Sequence, residues 1–222
     1  MFVRTFGCNL TCSWCDTAKT WATTQEKAAK TVSGKLFTVE EQRHLMTPDD
    51  VVSTLLGKWN IINKPTNIII SGGEPMMQWA KLIPLMRTLF DWGNRIHIET
   101  AGTIKTVPDF DVMVHQYNVS PKLHNSGNDF KKRYKPDALR SLMRTEKARF
   151  KFVVRDLDDF SEIDFIVKDL DILPQFVQVM PEGIRPQRNI RIAQEIIDEA
   201  LKLGFGLSFR SHILIWGAKE GV

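Results

Sequence analysis

Cys8, Cys12 and Cys15 are the only cysteines in the chain, and they fall within eight positions, in the run Cys8-Asn9-Leu10-Thr11-Cys12-Ser13-Trp14-Cys15. Three thiolates offered by one loop can hold three corners of a cubane iron-sulfur cluster. With no fourth cysteine, one iron is left to a non-cysteine side chain or to an exogenous chelating ligand, and an open iron implies chemistry rather than electron storage. The competing reading is a zinc site of Cys3His type that draws on one of the five histidines. Zinc ligands, however, usually pair as C-x2-C with a second, distant pair. An odd number of closely spaced cysteines does not make a secreted disulfide framework; it points to a metal site in a reducing compartment.

Three further segments carry polar groups that could serve such a site. In Ser71-Gly72-Gly73-Glu74-Pro75 two glycines let backbone amides approach a ligand closely, and Glu74 can accept hydrogen bonds from an ammonium group. Glu99-Thr100-Ala101-Gly102-Thr103 and Val119-Ser120-Pro121-Lys122 read on their own as polar strand ends and turn formers. Thr17, two positions after the last cysteine, reads on its own as a turn or cap hydroxyl.

These residues must be held by regular elements, and the pattern supplies them. Residues 2–6 alternate like a short strand that ends at the cysteine loop. Residues 18–46 are polar with little periodicity, which predicts an elaborated loop or lid with short elements inside it. Thr47-Pro48-Asp49-Asp50 is a helix start, running to about Trp59. Strands are expected at 67–70, 95–99, 117–120, 148–154, 176–180 and 206–209. Helices are expected at 77–92, with a kink at Pro84, and at 136–144, 158–170 and 187–203. A repeated βα unit of this kind makes a parallel α/β sheet or partial barrel, whose ligands gather at the carboxyl ends of the strands. The polar segments above fall at those ends.

Composition sets the outer limits. At 222 residues the chain can bury one substantial core, and 43% hydrophobic with 25% charged residues is ordinary globular usage. A net charge of +4 is too small to specify nucleic-acid binding, although it favours the approach of an anionic small substrate. The run Lys131-Lys132-Arg133-Tyr134-Lys135 reads as a solvated loop. No apolar stretch reaches the roughly 18 residues needed to cross a bilayer, so a soluble, cytoplasmic protein without membrane or direct nucleic-acid contacts is expected.

The C-x3-C-x2-C spacing together with Gly72-Gly73-Glu74 resembles the radical S-adenosylmethionine (SAM) superfamily. There the amino and carboxylate groups of SAM chelate the open iron, and reductive cleavage of SAM gives a 5′-deoxyadenosyl radical that takes a hydrogen atom from the substrate. Phe2-Val3-Arg4, Cys12-Ser13-Trp14-Cys15-Asp16-Thr17, Thr20-Trp21, the segments at 99–103 and 120–122, residues 208–212 and Trp216-Gly217 resemble the 7-carboxy-7-deazaguanine synthase family over nearly the whole chain. The resemblance implies one radical SAM domain over 1–222, a partial (β/α)6-type barrel. Its first strand and cluster loop would lie at 1–17, an insertion at 18–46 and the remaining βα units at 47–222. It implies a [4Fe-4S] cluster on Cys8, Cys12 and Cys15, with SAM against Gly72, Gly73, Glu74, Glu99 and Ser120. It also implies Mg2+ on Thr17, and pterin substrate on Arg4 and His212. The implied reaction is Mg2+-dependent ring contraction of 6-carboxy-5,6,7,8-tetrahydropterin to 7-carboxy-7-deazaguanine with loss of ammonia, on the route to queuosine-type deazapurines. SAM would be regenerated, and the enzyme would be a homodimer served by an external electron donor such as flavodoxin.

Two departures from the family bear on substrate. Its N-terminal Gln-Gly-Glu-Gly motif is not present in these residues, and Met180-Pro181 stands where some members have Gln-Pro, so that a side-chain bond is either missing there or supplied by Gln178. The rival readings are a glycyl-radical-enzyme activase acting on a protein partner, and a zinc or nucleic-acid binding module.

Overall fold

The computed structural model describes residues 1–58, 66–217 and 219. Its frame is a seven-stranded sheet in the order β1 to β7, with every neighbouring pair parallel. The strands are β1 (Phe2–Thr5), β2 (Asn67–Gly72), β3 (Arg95–Thr100), β4 (Val114–Val119), β5 (Ala148–Val154), β6 (Val177–Pro181) and β7 (Gly206–Leu207). The helices are α1 (Gln25–Ala28), α2 (Val39–Gln42), α3 (Pro48–Lys58), α4 (Trp79–Asp91), α5 (Pro108–Asp111), α6 (Phe130–Arg133), α7 (Pro136–Met143), α8 (Asp159–Leu170), α9 (Pro186–Lys202) and α10 (Ser211–Trp216).

Sequential parallel strands joined by helices curl into a partial barrel with the helices outside. This is the expected α/β class, and the seventh strand, expected at 206–209, is short, with only two paired residues.

Alternation along the strands separates two faces. Ile68, Ile70, Ile96, Ile98, Tyr117, Val119, Phe150, Phe152, Val154 and Val179 are buried against the outer helices. Each such large apolar side chain contributes roughly 1.5–3 kcal/mol when withdrawn from water. The opposite face carries Arg4, Ser71, His97, Glu99, Asn118, Lys151 and Gln178, all exposed or half-buried. The register aligns them strand by strand, with Arg4 opposite Ser71, Glu99 opposite Asn118 and Lys151 opposite Gln178. A polar inner wall is therefore built into the strand pattern.

Boundaries moved where local chemistry intervened. The start of α3 is a reciprocal cap: the Asp50 amide donates to the Thr47 hydroxyl at 3.2 Å, and the Thr47 amide donates to the Asp50 carboxylate at 2.8 Å. The Trp59 end expected for this helix lies outside the described residues. The first turn expected at Met77 is a 3-10 turn over Pro75–Gln78, and α4 then continues through Pro84. β4 begins at Val114, three residues before the expected Tyr117, because a register shift between Ile96 and His97 lets Val114, His115 and Gln116 join the sheet. Among the described residues no helix is long and apolar enough to cross a membrane.

Candidate iron-sulfur and cofactor site

The cysteine loop leaves β1 at Gly7, whose φ of +101° lies in the left-handed region that glycine tolerates. Long-range hydrogen bonds hold the loop in place. The Gly7 amide donates to Thr20 O at 2.9 Å, the Thr11 amide to the Asn128 side chain at 2.9 Å, and the Ser13 amide to Ser126 O at 2.9 Å. The Trp14 indole donates to the backbone and side-chain oxygens of Asn125, both at 3.1 Å. From the other side, residues 18–37 of the expected insertion pack on the loop through buried Ala18, Trp21 and Ala22, and the Val32 amide reaches Ser13 O at 2.9 Å.

All three thiols are free, and each has a polar neighbour. The Leu10 amide points to Cys8 Sγ at 3.5 Å, Asn128 Nδ2 to Cys12 Sγ at 3.3 Å and Trp21 Nε1 to Cys15 Sγ at 3.3 Å. Burial pushes the Cys8 thiol up to about 12, and burial likewise raises Cys12, opposed first by the Lys122 ammonium. An uncompensated thiolate is costly in this loop, so the site favours a partner that carries positive charge, as iron does.

Among the described residues no three His, Cys, Asp or Glu side chains converge closely enough to hold a single metal ion. In a cubane each thiolate binds a different iron, so three thiols from one loop can hold three of its corners. The three thiols and their three N–H donors therefore fit a cluster. Lys122 adds a nearby cation, and its Nζ also lies 5.8 Å from the Trp14 ring. Replacing Lys122 by Met, which keeps the apolar stem and removes the charge, is expected to shift the potential of the reconstituted cluster to more negative values, since local charge helps set cluster potentials. Spectroelectrochemical titration measures this shift.

Behind the cysteine loop stands the turn that ends β2. A Cβ on Gly73 would lie 1.9 Å from Gly7 O, and one on Gly72, where φ is +137°, would lie 2.2 Å from Thr5 O. The glycines are thus needed for backbone to pass backbone, where the sequence suggested close approach of a ligand. The Gly73 amide donates to Thr5 O at 3.1 Å and the Glu74 amide to Gly7 O at 2.8 Å, which ties the two loops together.

Glu74 is fully buried. Its carboxylate accepts the Thr100 hydroxyl at 2.8 Å, the Ala101 amide at 2.8 Å and the Met76 amide at 3.1 Å. Burial raises its carboxyl pKa above the ordinary value, and these donors, together with Lys122, pull it back. Glu74 so links the ends of β2 and β3.

The remaining candidates are distributed around this nucleus. Thr17 places its hydroxyl 3.5 Å from Gly72 O and 3.6 Å from Cys15 Sγ. The Ser120 amide donates to Thr100 O at 2.8 Å, and Lys122 Nζ donates to both Ser120 oxygens at 2.8 Å. Glu99 is half-buried on the polar face of β3, and Arg4 is exposed on the same face of β1. His212 is exposed on α10. The structure thus brings Cys8, Cys12, Cys15, Thr17, Gly72, Gly73, Glu74 and Ser120 into one bonded cluster at the carboxyl ends of β1 to β4.

Several supporting residues were missed by the sequence reading. Asn125 and Asn128 hold the cluster loop, and Arg133 braces their segment: it donates to Asn128 O at 3.1 Å and Lys122 O at 2.9 Å and pairs with Glu162. The basic run 131–135 is therefore only partly a solvated face, because Arg133 and Tyr134 are buried. A polar stretch at 124–128, bounded by turn formers, was the one signal available in the sequence.

A family model described as a 4Fe-4S single cluster domain matches residues 1–120. A 7-carboxy-7-deazaguanine synthase from Pyrobaculum aerophilum is 28% identical over 221 residues, covering 100% of this chain and 87% of the relative. The crystal structure of QueE from Escherichia coli superposes with a TM-score of 0.63 at 23% identity, over 94% of this chain and 84% of that one. The crystal structure of Streptococcus suis SuiB bound to S-adenosylmethionine superposes with a TM-score of 0.58 at 13% identity, over 94% of this chain and 48% of that one. At those identities the two structures speak for the fold.

Proposed function

The chain belongs to the 4Fe-4S single cluster domain family, and from that premise we propose that it is a radical SAM 7-carboxy-7-deazaguanine synthase. It would convert 6-carboxy-5,6,7,8-tetrahydropterin to 7-carboxy-7-deazaguanine with release of ammonia, for queuosine or another deazapurine. The observation that carries this reading is the full-length relationship to synthases of that name. A loop of three free thiols facing N–H donors supports it.

When bound, the cluster and SAM supply the radical that takes a hydrogen atom from the pterin. The chain's own residues bind and orient. Cys8, Cys12 and Cys15 hold the cluster, and Asn128, Trp21 and the Leu10 amide temper the charge on their sulfurs. Gly72, Gly73, Glu74, Glu99 and Ser120 form the SAM side of the site. Glu74, fully buried and bonded to three protein donors, serves that side by fixing the Gly72-Gly73 turn against the end of β3.

Thr17 offers a hydroxyl to Mg2+, a hard cation that prefers oxygen and keeps several waters. Arg4 presents a planar fork suited to the pterin carboxylate, and His212 approaches from the C-terminal side. One radical SAM domain over 1–222, a homodimer, a flavodoxin-like donor and a cytoplasmic location complete the reading.

The test is an anaerobic assay of cluster-reconstituted protein with SAM, reductant, Mg2+ and 6-carboxytetrahydropterin, followed by mass spectrometry. The expected result is 7-carboxy-7-deazaguanine, with turnover falling when Mg2+ is withheld. Formation of 5′-deoxyadenosine without product would overturn the substrate assignment while keeping the radical chemistry.

A further inference from the structure

The sheet begins at β1 and ends at β7, and these two edges do not pair with each other among the described residues. At the mouth of this open barrel the Arg210 side chain reaches across from the β7 side to the cluster loop. Arg210 pairs through Nη1 with the carboxylate of Asp16 and donates through Nη2 to Gly183 O. Asp16 sits between Cys15 and Thr17 in the cluster loop, whereas Gly183 lies just past the end of β6.

The arginine side chain is only 17% exposed, and its Nε is buried without a partner. It is also the residue from which α10 departs, two positions ahead of His212. Three separate parts of the chain meet at one guanidinium: the cluster loop, the loop after β6 and the C-terminal helix.

Given the function proposed above, on which this inference rests, we propose that Arg210 is a positioning residue that sets the distance between the Mg2+ side and the substrate side of the site. A rigid planar fork can serve two acceptors on different elements at fixed geometry, which a lysine cannot do equally well. Asp16 is 46% exposed, so the ion pair is partly screened and contributes little to global stability. Its consequence is local. Without it the start of α10, the helix that carries His212, loses its side-chain tie to the cluster loop.

Misplacement by about 1 Å can reduce kcat/KM on the order of 10²-fold. Because the clamp orders the approach of substrate, the loss is expected chiefly in KM for the pterin.

Four variants test this: Arg210→Ala, Arg210→Lys, Asp16→Asn, and the exchange of Asp16→Arg with Arg210→Asp. The first readout needs neither cofactor nor substrate. Hydrogen-deuterium exchange of cofactor-free protein is expected to accelerate about tenfold in residues 208–217 of Arg210→Ala and Asp16→Asn, as local opening becomes easier, while β5 stays protected. The second is kinetic: a rise in KM on the order of 10-fold or more, with kcat changed less and iron per chain retained. Partial recovery is expected in Arg210→Lys and in the charge exchange.

Unchanged exchange at 208–217 overturns the clamp, as does a fall in kcat alone at constant KM. Failure of Asp16→Asn that the charge exchange does not relieve at all would make Asp16 a direct ligand and not a clamp partner. If the parent protein makes no 7-carboxy-7-deazaguanine the functional reading fails, and the exchange data still decide the clamp.

Discussion

Replacement of Cys12 by alanine is expected to abolish turnover while leaving a folded protein. Cys12 is 6% exposed beside Leu10 and Ala101 and accepts from Asn128 Nδ2 at 3.3 Å, so an alanine there removes one sulfur and one weak hydrogen bond. Exchange of a single buried atom of this size costs stability on the order of 1 kcal/mol, too little to unfold a domain with a core this large. The chemistry, in contrast, has no substitute. With three cysteines in the chain and no fourth to stand in, the cluster keeps only two protein ligands. Enzymes accelerate their reactions by roughly 10⁶-fold or more, so loss of the cluster takes activity to background. Circular dichroism should be unchanged, while iron content and the brown absorption of the reconstituted protein fall together. A Cys12→Ala protein that retained turnover would remove the cluster from the mechanism altogether.

The second large effect comes from one methyl group. In Gly73→Ala the added Cβ would meet Gly7 O at 1.9 Å and Gly7 C at 2.5 Å. No side chain can rotate away, because the obstacle is the backbone that opens the cysteine loop. Overpacking of a well-filled site costs about 1–3 kcal/mol and occasionally more, and relief here requires Gly7, and with it Cys8, to move. Cluster loading should therefore fail even where the sheet survives. Gly57→Ala in α3, where an added Cβ meets nothing within 4 Å, is the matched control and should stabilise by up to about 1 kcal/mol. Thermal melts together with iron analysis separate the two. Equal iron content in both variants would show that the close approach at Gly73 is not needed.

Much of the site was legible in the chain before its structure was known, and the reason is local in each case. The cysteine spacing, Gly72-Gly73 and the alternating strands are short-range patterns, and β5 falls where its alternation placed it. What escaped was set by distant partners. Asn128 meets Thr11 across 117 positions, and Arg210 meets Asp16 across 194; no spacing rule joins such residues. Arg133 reads as part of a charged run until Glu162 and two carbonyl oxygens are seen to surround it. Glu74 reads as a ligand-facing acid, and only the fold reveals that Thr100, Ala101 and Met76 already occupy most of its acceptor positions.

The distance in sequence between the cysteine loop and its supports also orders events during synthesis. Cys15 and Asn128 are 113 positions apart, so at about 5–20 residues per second the thiols leave the ribosome roughly 6 to 23 s before the amide that steadies Cys12 exists. Through that interval the loop lacks the 124–128 segment that supports it in the finished fold. Metal met during translation would find three flexible thiols rather than a shaped site. A shaped site for the cluster is in this sense a late feature, available only to a chain that has already made β1 to β4.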